Sequence, residues 1–514
     1  MLVLWFLVVG FTLLLLVGVS SFYFLGVDYF VILNNFVAAE GGLGVSDFLC
    51  VAMLLFCGCI SLLFSLHYFG WSHSNLNIMI CLFLGVMVGL VFSEDYLSSL
   101  FWWEYLGVVS FFLILYYSNF DTLFAGNSTI VASRGGDVGF FIIICYAFGG
   151  YELCFMGIIS AFLIILTKSA VLPFCSWLLE AMRAPTPVSC LVHSSTLVAA
   201  GVWFVSCYGY LLLGCFQSNI LMMLCLITIL VSGCSAMAFS DIKKIVALST
   251  CNNISWCLVY YLLGSPILSI YQLVCHGVGK CMLFISVGDS LSSAGGSQNK
   301  GCFTLVPANS LLGFCGILLL SVSVAGFPFL GVFFTKHAML NTLFSSGGFL
   351  MSLVVFMCIF VSYSYSSRLV FLIVSPNGVN QGWLSNSYYF LSSLIVLCGL
   401  FGYLEMGGLE ELDEITWLYS FLILNLNLFG VYFGYYLYRC QFGGSYYASF
   451  GSNDDNIIGY IEAFLKFGFI NSVFFNFRSE VNIISAIFSM KGDNIIRVAS
   501  VPVFVSVMLF IGLI

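Results

Sequence analysis

Apolar runs long enough to cross a lipid bilayer follow one another along most of this sequence. Many extend for 18 or more residues without a charge, which is typical of membrane-spanning helices and not of a soluble core. The pattern predicts an all-α polytopic membrane protein with about fifteen transmembrane helices. We expect the spans near residues 1–24, 47–67, 77–93, 97–117, 129–149, 152–183, 186–207, 217–239, 241–263, 267–289, 308–343, 348–373, 386–404, 417–438 and 498–514.

Two of these spans are interrupted by proline, and each interruption lies close to a lysine. The first carries Lys168 shortly before Pro173, and the second carries Pro328 shortly before Lys336. A break at membrane depth is tolerated where neighbouring protein or a wet cavity satisfies the freed backbone groups. Interrupted helices in corresponding positions of two halves indicate a transporter-like site.

The same pattern predicts how the chain is divided. An amphipathic stretch that is too polar to span the membrane and too apolar to be free follows the later spans, although a loop with a stray helix fits it as well. The predicted segments are N-terminal helices at 1–76, a first half at 77–207, a second half at 217–373, additional membrane helices at 386–438, a lateral amphipathic helix at 455–490 and an anchor helix at 498–514.

Composition narrows the class of protein further. The chain has 514 residues, of which 61% are hydrophobic and only 7% are charged, and it has no basic patch for nucleic acid. Its 21 cysteines show no metal-like spacing and are expected to be small buried apolar residues. The common residues use T- and G-rich codons, which indicates a strand-biased organelle genome.

Basic residues outside the spans fall in every second connection. The intervening connections lack them, and the one at 405–414 is acidic. This alternation follows the positive-inside rule, and it predicts the N-terminus on the positive side of the membrane and the C-terminus on the opposite side.

Several ionisable side chains lie inside predicted spans, where each is a candidate functional residue because charge is costly at membrane depth, and the lysines and histidines below are the main candidates. They are Lys168, His193, His276, Lys280 and Lys336. His276 and Lys280 are four residues apart, so they share one helix face at a spacing of about 6 Å. Burial lowers the pKa of an amine and raises that of a carboxyl, and a nearby opposite charge counters both effects. Such groups suit a protein that moves protons.

The amino-acid sequence around the first break resembles that of a known family. The matching pieces are KSA at 168–170, PF at 173–174, WL at 177–178, AM at 181–182, PTPVS at 185–189 and HSST at 193–196. They resemble the antiporter-like subunits of respiratory complex I, and the last two pieces are most similar to its distal chain 5. The same pieces occur in the large subunit of Mrp-type sodium/proton antiporters, so both families stay open.

The resemblance implies two inverted five-helix repeats and a long lateral helix. It also implies that the family's usual first helix is missing here, because the cue SDF at 46–48 follows only one predicted span. For the first half, it pairs Glu104 with Lys168 as the first switching lysine, and it makes Arg134 and Asp137 an entrance or tuning pair. Each assignment has a structural alternative. Glu104 would be an acid beside interface tryptophans, Arg134 and Asp137 would be a local ion pair, and Lys168 would be a snorkelling lysine.

His193 is implied to pass protons between the halves, with a satisfied buried histidine as the alternative. In the second half, His276 and Lys280 match the family's central pair, and Lys336 matches its final lysine. Lys243 is either an entrance residue or a positive-inside anchor.

Two departures from the family concern titratable positions. Gln272 stands where a further histidine is common, and His337 stands where an acid usually follows the final lysine. We expect Lys336 or His337 to spend more time neutral here than in relatives that carry the acid.

Three functions remain open on the sequence. The first is a proton-translocating subunit of mitochondrial NADH:ubiquinone oxidoreductase in the inner membrane, with its N-terminus in the matrix and its C-terminus in the intermembrane space. Its expected partners are the other membrane-arm subunits, especially the adjacent chain 4, and lipids. We expect no cofactor in this chain, and flavin, iron–sulfur clusters and ubiquinone in partner subunits. The others are an Mrp-type antiporter and a scaffold that pumps nothing.

Overall fold

The computed structural model describes residues 45–70, 74–93, 95–149, 155–209, 216–239, 241–293, 311–328, 330–346, 349–374, 395–396, 399 and 417–442. Regular structure within these ranges is entirely helical. The predicted spans at 1–24 and 498–514, the lateral helix at 455–490 and most of 386–416 lie outside the described residues.

The helices as far as residue 208 are α1 Val45–Phe69, α2 Ser74–Val91, α3 Tyr96–Ile114, α4 Phe120–Gly149, α5 Phe155–Lys168, α6 Ser176–Ala181, α7 Thr186–Leu191 and α8 Leu197–Tyr208. A π-helical turn, Val192–Thr196, joins α7 to α8. The later helices are α9 Phe216–Ala238, α10 Ile242–Leu262, α11 Pro266–Ser293, α12 Leu311–Ala325, α13 Phe333–Ser346, α14 Phe349–Val374 and α15 Trp417–Phe442.

Most predicted spans coincide with these helices. Within the described ranges, nine helical stretches are long and apolar enough to cross a membrane. The span predicted at 129–149 is too short, because α4 already begins at Phe120. Its first turn is capped locally: the Asn119 backbone N–H donates to Thr122 Oγ1 at 3.0 Å, and the Thr122 hydroxyl donates to the Asn119 carbonyl at 2.8 Å.

Both predicted helix breaks are present. The first separates α5 from α6, and the Trp177 indole donates to the Thr167 carbonyl at 3.0 Å, which satisfies a backbone group freed by the break. The second follows α12, where Gly326 has φ of 93°, a left-handed conformation that favours glycine at a helix C-terminus. The Tyr363 hydroxyl donates to the Gly326 carbonyl.

Three helical stretches form the interior. All of the hydrophobic stretch in Thr186–Tyr208 is buried, as is 94% of that in α10 and in α11, against 11% in α15. Because α10 and α11 also contact each other and the α7–α8 stretch, the ionisable residues that they carry are brought to one interior. The position of α15 at the periphery suits a helix that meets lipid.

Hydroxyl and amide side chains hold the interior helices to their neighbours. Thr228 of α9 donates to Ser255 of α10 at 2.7 Å, and Asn252 donates to the Ile229 carbonyl at 3.0 Å. Such contacts substitute for a hydrophobic driving force, which is absent between helices in lipid. A glycine allows the closest approach of α4 and α5, because a Cβ at Gly139 would lie 2.6 Å from the Ser160 carbonyl oxygen.

Candidate functional site

Lys168 is the last residue of α5 and lies at the first break. Its side chain is buried, and its ammonium nitrogen lies 5.0 Å from the centroid of the Trp103 ring. Among the described residues, this nitrogen has no hydrogen-bond partner. The apolar run that forms α5 and the proline that ends it together place a charge inside the protein, where burial favours its neutral form.

One arginine of the predicted entrance pair joins two carboxylates, Glu104 and Asp137. Arg134 donates to Glu104 across α3 and α4, and its guanidinium lies 3.4 Å from Asp137 one turn along α4. Arg134 is about half exposed, whereas the Asp137 side chain is 5% exposed. The predicted local pair of Arg134 and Asp137 is therefore present, and it spans from the surface to the interior.

Among the described contacts, none joins Glu104 directly to Lys168, and the implied functional pairing of the two stays a prediction. Glu104 is engaged by Arg134, which stands on the neighbouring helix and reaches the carboxylate first. Glu104 and Asp137 both remain near enough to Lys168 to interact with it electrostatically. The charge of Lys168 is therefore influenced by two acids and one arginine. We call Glu104, Arg134 and Asp137 the entrance cluster.

A small cavity of about 10 Å³, with mostly polar side chains among its lining residues, lies between Lys168 and His193. Lys168 and His193 both line it, and so does Trp177. The other lining residues are Ser110, Ile114, Thr129, Ser133, Thr167 and Leu197. Hydroxyl groups beside two titratable side chains are the partners that a bridging water requires. The cavity therefore has room and polar groups for about one water between Lys168 and His193.

His193 lies in the π-helical turn, within the span predicted at 186–207. The turn runs from Val192 to Thr196 and is fully buried. The hydroxyls of Ser195 and Thr196 both donate to the Leu191 carbonyl, at 3.2 and 3.0 Å. Single π turns inside α-helices are frequent at functional sites.

Lys243 is buried and is no surface anchor. It lies in the first turn of α10, 6% exposed, with its ammonium 3.5 Å from the Ala184 carbonyl just before the PTP turn. The neighbouring Lys244 has the anchor-like position, since it is partly exposed and pairs with Asp241 at 3.3 Å. Of the two interpretations left open, the position of Lys243 agrees with the one that places it at an entrance.

The central pair lies on α11, facing α10. Lys280 donates to the Ser249 hydroxyl, and its ammonium lies 3.5 Å from the Val246 carbonyl. His276 lies one turn earlier and is fully buried, and neither of its ring nitrogens has a hydrogen-bond partner among the described residues. Two basic side chains on one buried face repel each other when both are charged, so a proton on one disfavours a proton on the other.

Gln272 continues this face toward the second break. Its amide oxygen accepts a hydrogen bond of 2.5 Å from Thr335, the residue before Lys336. Lys336 in turn donates to the Ala325 carbonyl at 2.6 Å and lies 3.5 Å from the Ser362 hydroxyl. Polar contacts therefore continue from α11 to α13 although Gln272 cannot titrate.

His337 follows Lys336 but has a different environment. Its ring lies 5.5 Å from that of Phe333, measured between centroids, and the two planes are inclined by 33°. The His337 side chain is partly exposed, whereas Lys336 is 5% exposed. Lys336 therefore lies in the interior, whereas His337 lies beside Phe333 and is partly exposed.

Several polar contacts of the site were not predicted. Ser249 and Trp256 lie on α10 and meet lysines of other helices, and no spacing along the sequence indicates such a contact. Thr129, Ser133 and Asp137 recur every four residues along α4, a helical stripe that could have been found in the sequence. The stripe leads from the cavity to the entrance cluster.

Comparison with known proteins agrees with this geometry. The family described as "NADH:quinone oxidoreductase/Mrp antiporter, TM" matches residues 93–362. Among solved structures, one titled "Structure of Mrp complex from Dietzia sp. DQ12-45-1b" is 19% identical with a TM-score of 0.63, and the match covers 91% of this chain and 55% of that one. An archaeal membrane-bound sulfane sulfur reductase has a TM-score of 0.61 at 16% identity, covering 84% and 93% of the two chains. These likenesses show the fold.

Closer relatives carry a single name. NADH-ubiquinone oxidoreductase chain 5 of Artemia franciscana is 31% identical over 392 residues, which is 71% of this chain and 70% of that relative. The chain 5 of Locusta migratoria is 32% identical over 426 residues, which is 76% and 73% of the two chains. This chain therefore belongs to the NADH:quinone oxidoreductase/Mrp antiporter membrane family, among the relatives that are chain 5 of NADH–ubiquinone oxidoreductase.

Proposed function

We propose that this chain translocates protons across a membrane as a membrane-arm subunit of a respiratory NADH:ubiquinone oxidoreductase. The observation that carries the proposal is the burial of Lys168, His193, His276, Lys280 and Lys336 inside apolar helices of both halves. Ionisable groups in such surroundings are costly and mark ion or proton pathways. The names of the chain 5 relatives support the assignment to this enzyme.

In the first half, the entrance cluster controls the charge of Lys168. The ammonium is favoured while Glu104 and Asp137 are ionised, and it is disfavoured when Arg134 dominates the local field. A proton released by Lys168 passes through the polar cavity to His193, which lines the same space.

In the second half, the proton reaches His276 and Lys280. Mutual repulsion between these two groups moves charge onward once either is protonated. The Gln272–Thr335 hydrogen bond orders the path toward Lys336, and Lys243 and His337 tune its two ends.

The proposal includes partners and a location. Electron transfer would use flavin, iron–sulfur clusters and ubiquinone held by other subunits, with chain 4 adjacent and the predicted lateral helix at 455–490 running along the arm. The chain would be a multi-pass protein of the inner mitochondrial membrane, with its N-terminus in the matrix and its C-terminus in the intermembrane space. The names of the relatives and the charge alternation in the sequence support this placement.

A second candidate function is cation/proton exchange of the Mrp type, which the fold likeness to an Mrp complex favours. Proton movement driven by a sodium gradient without NADH would support exchange. Proton movement that requires NADH oxidation would support the respiratory function.

The deciding experiment replaces Lys280 in the full complex. In reconstituted vesicles, Lys280→Met should lower the number of protons moved per NADH oxidised, because it removes the buried central charge. The matched control is Lys244→Met, which removes a partly exposed lysine paired with Asp241 and should leave the ratio unchanged. An unchanged ratio in Lys280→Met would instead indicate a scaffold that pumps nothing.

A second experiment addresses the departure at His337. Introducing the acid found in relatives, His337→Asp, should hold Lys336 charged to higher pH and should alter pumping between about pH 6 and 8. Pumping that is the same as in the parent across this range would contradict a tuning role for His337.

A further inference from the structure

Each broken-helix lysine lies over the face of a buried tryptophan. The ammonium of Lys168 is 5.0 Å from the centroid of the Trp103 ring, and that of Lys336 is 5.8 Å from the centroid of the Trp256 ring. Both distances are within the roughly 6 Å at which a ring face attracts a cation. Both tryptophans are fully buried.

The two tryptophans occupy corresponding helices. Trp103 belongs to α3, the second helix of the first half, and Trp256 belongs to α10, the second helix of the second half. In each half, therefore, the second helix supplies an aromatic face to the lysine at that half's break. The two tryptophans occupy different positions along their helices, and no common sequence motif marks them.

We propose that Trp103 and Trp256 are positioning residues that stabilise the charged state of the two broken-helix lysines through their ring faces. The inference rests on the proposed function, since a held charge matters only if the lysines relay protons. In a buried site the attraction is stronger than at a surface, because the ammonium is largely desolvated.

The two sites depend on their ring to different degrees. Lys168 has no hydrogen-bond partner among the described residues, and the Trp103 face is the direct contact described for its ammonium. Lys336 also donates to the Ala325 carbonyl at 2.6 Å. Loss of the indole should therefore affect Lys168 more than Lys336.

Other titratable groups around the lysines set the baseline for a pH experiment. Lys168 is faced by Glu104 of α3, by Arg134 and Asp137 of α4, and by His193 of the π turn, which lines the same cavity. Lys336 is faced by Cys358 of α14 and adjoins His337 on its own helix. None of the substitutions below changes these groups.

The test measures NADH-driven proton pumping against pH in vesicles that contain the whole complex. Trp103→Leu removes the ring face. It should move the alkaline limb of the profile, which is the fall in pumping at high pH, about 1 pH unit lower. Trp256→Leu should move this limb by about half a unit. Trp103→Phe keeps a weaker face and should give a smaller shift than Trp103→Leu. Trp203→Leu is the matched control, because Trp203 is a buried tryptophan of α8 whose described ring contact is with Tyr208.

Outcomes that overturn the inference are separable from a failure of the proposed function. An equal shift in Trp103→Leu and Trp203→Leu, or no shift in Trp103→Leu, rejects the positioning role while Lys280→Met still lowers the proton ratio. An unaffected ratio in Lys280→Met rejects the function itself. If a leucine variant does not assemble, the limbs of Trp103→Phe and Trp203→Phe are compared, and equal limbs reject the inference.

Discussion

Replacing Ser249 by alanine tests whether the charge of Lys280 is held by α10. The Ser249 hydroxyl donates its own hydrogen to the Val246 carbonyl at 2.7 Å and accepts from the Lys280 ammonium. Ser249→Ala removes this acceptor and leaves the Val246 carbonyl, at 3.5 Å, as the remaining described partner. The protonated lysine is thereby destabilised while its volume and position are nearly conserved.

The size of the effect follows from the type of bond. A hydrogen bond to a charged group contributes about 1.5–3 kcal/mol. One pH unit corresponds to about 1.4 kcal/mol, so the lysine should lose its proton about 1–2 pH units lower. Because pumping requires a lysine that can be protonated, the alkaline limb of pumping should move down by the same amount.

The assay is proton uptake per NADH oxidised across a pH series in vesicles that contain the complex. Ser286→Ala is the control, since Ser286 is a buried serine on the lysine's own helix whose hydroxyl donates to the Leu283 carbonyl at 2.9 Å. The reasoning is refuted if the alkaline limb of Ser249→Ala coincides with that of the parent, or if Ser286→Ala shifts it equally.

Two further substitutions probe the architecture. Gly201→Ala should lower the thermal stability of the complex by about 1–3 kcal/mol through overpacking, because its Cβ would lie 2.9 Å from Ser169 Cβ and 3.0 Å from the Ser169 nitrogen. Gly85→Ala, where no described heavy atom lies within 4 Å of the added Cβ, should be tolerated, and equal melting of the two variants would count against this packing argument. His67→Leu removes the partner at 3.4 Å from the buried Asp289 carboxylate. It should destabilise the complex by about 1 kcal/mol, because the buried carboxylate loses this partner, and a melting temperature equal to that of the parent would count against the contact.

Features with a local signature were predictable from the sequence. Pro173 and Pro328 marked the two breaks, and a buried lysine near each was visible as a charge in an apolar run. The pair of His276 and Lys280 followed from their spacing on one helix. The predicted span that ends at Gly149 begins nine residues too late. The helix start, which Thr122 caps, lies within a polar stretch that resembles a connection between helices.

Features that depend on neighbouring helices were not predictable in the same way. The pairing of Glu104 with Arg134, and the contact of Lys280 with Ser249, join helices whose adjacency no spacing reveals. The π turn around His193 was also unforeseen, since the sequence VHSST contains no proline or glycine that would mark it.

The contact between Lys336 and the Ala325 carbonyl changes how a charge-removing substitution should be understood. Ala325 is the last residue of α12, and the final carbonyls of a helix carry partial negative charge and need a donor. Lys336→Met would therefore uncap a helix end as well as delete a titratable amine, so inactivity of that variant mixes two causes. Lys336→Arg keeps the cap and the positive charge but holds its proton far more firmly, so a complex that assembles normally with arginine yet does not pump would assign the defect to proton release alone.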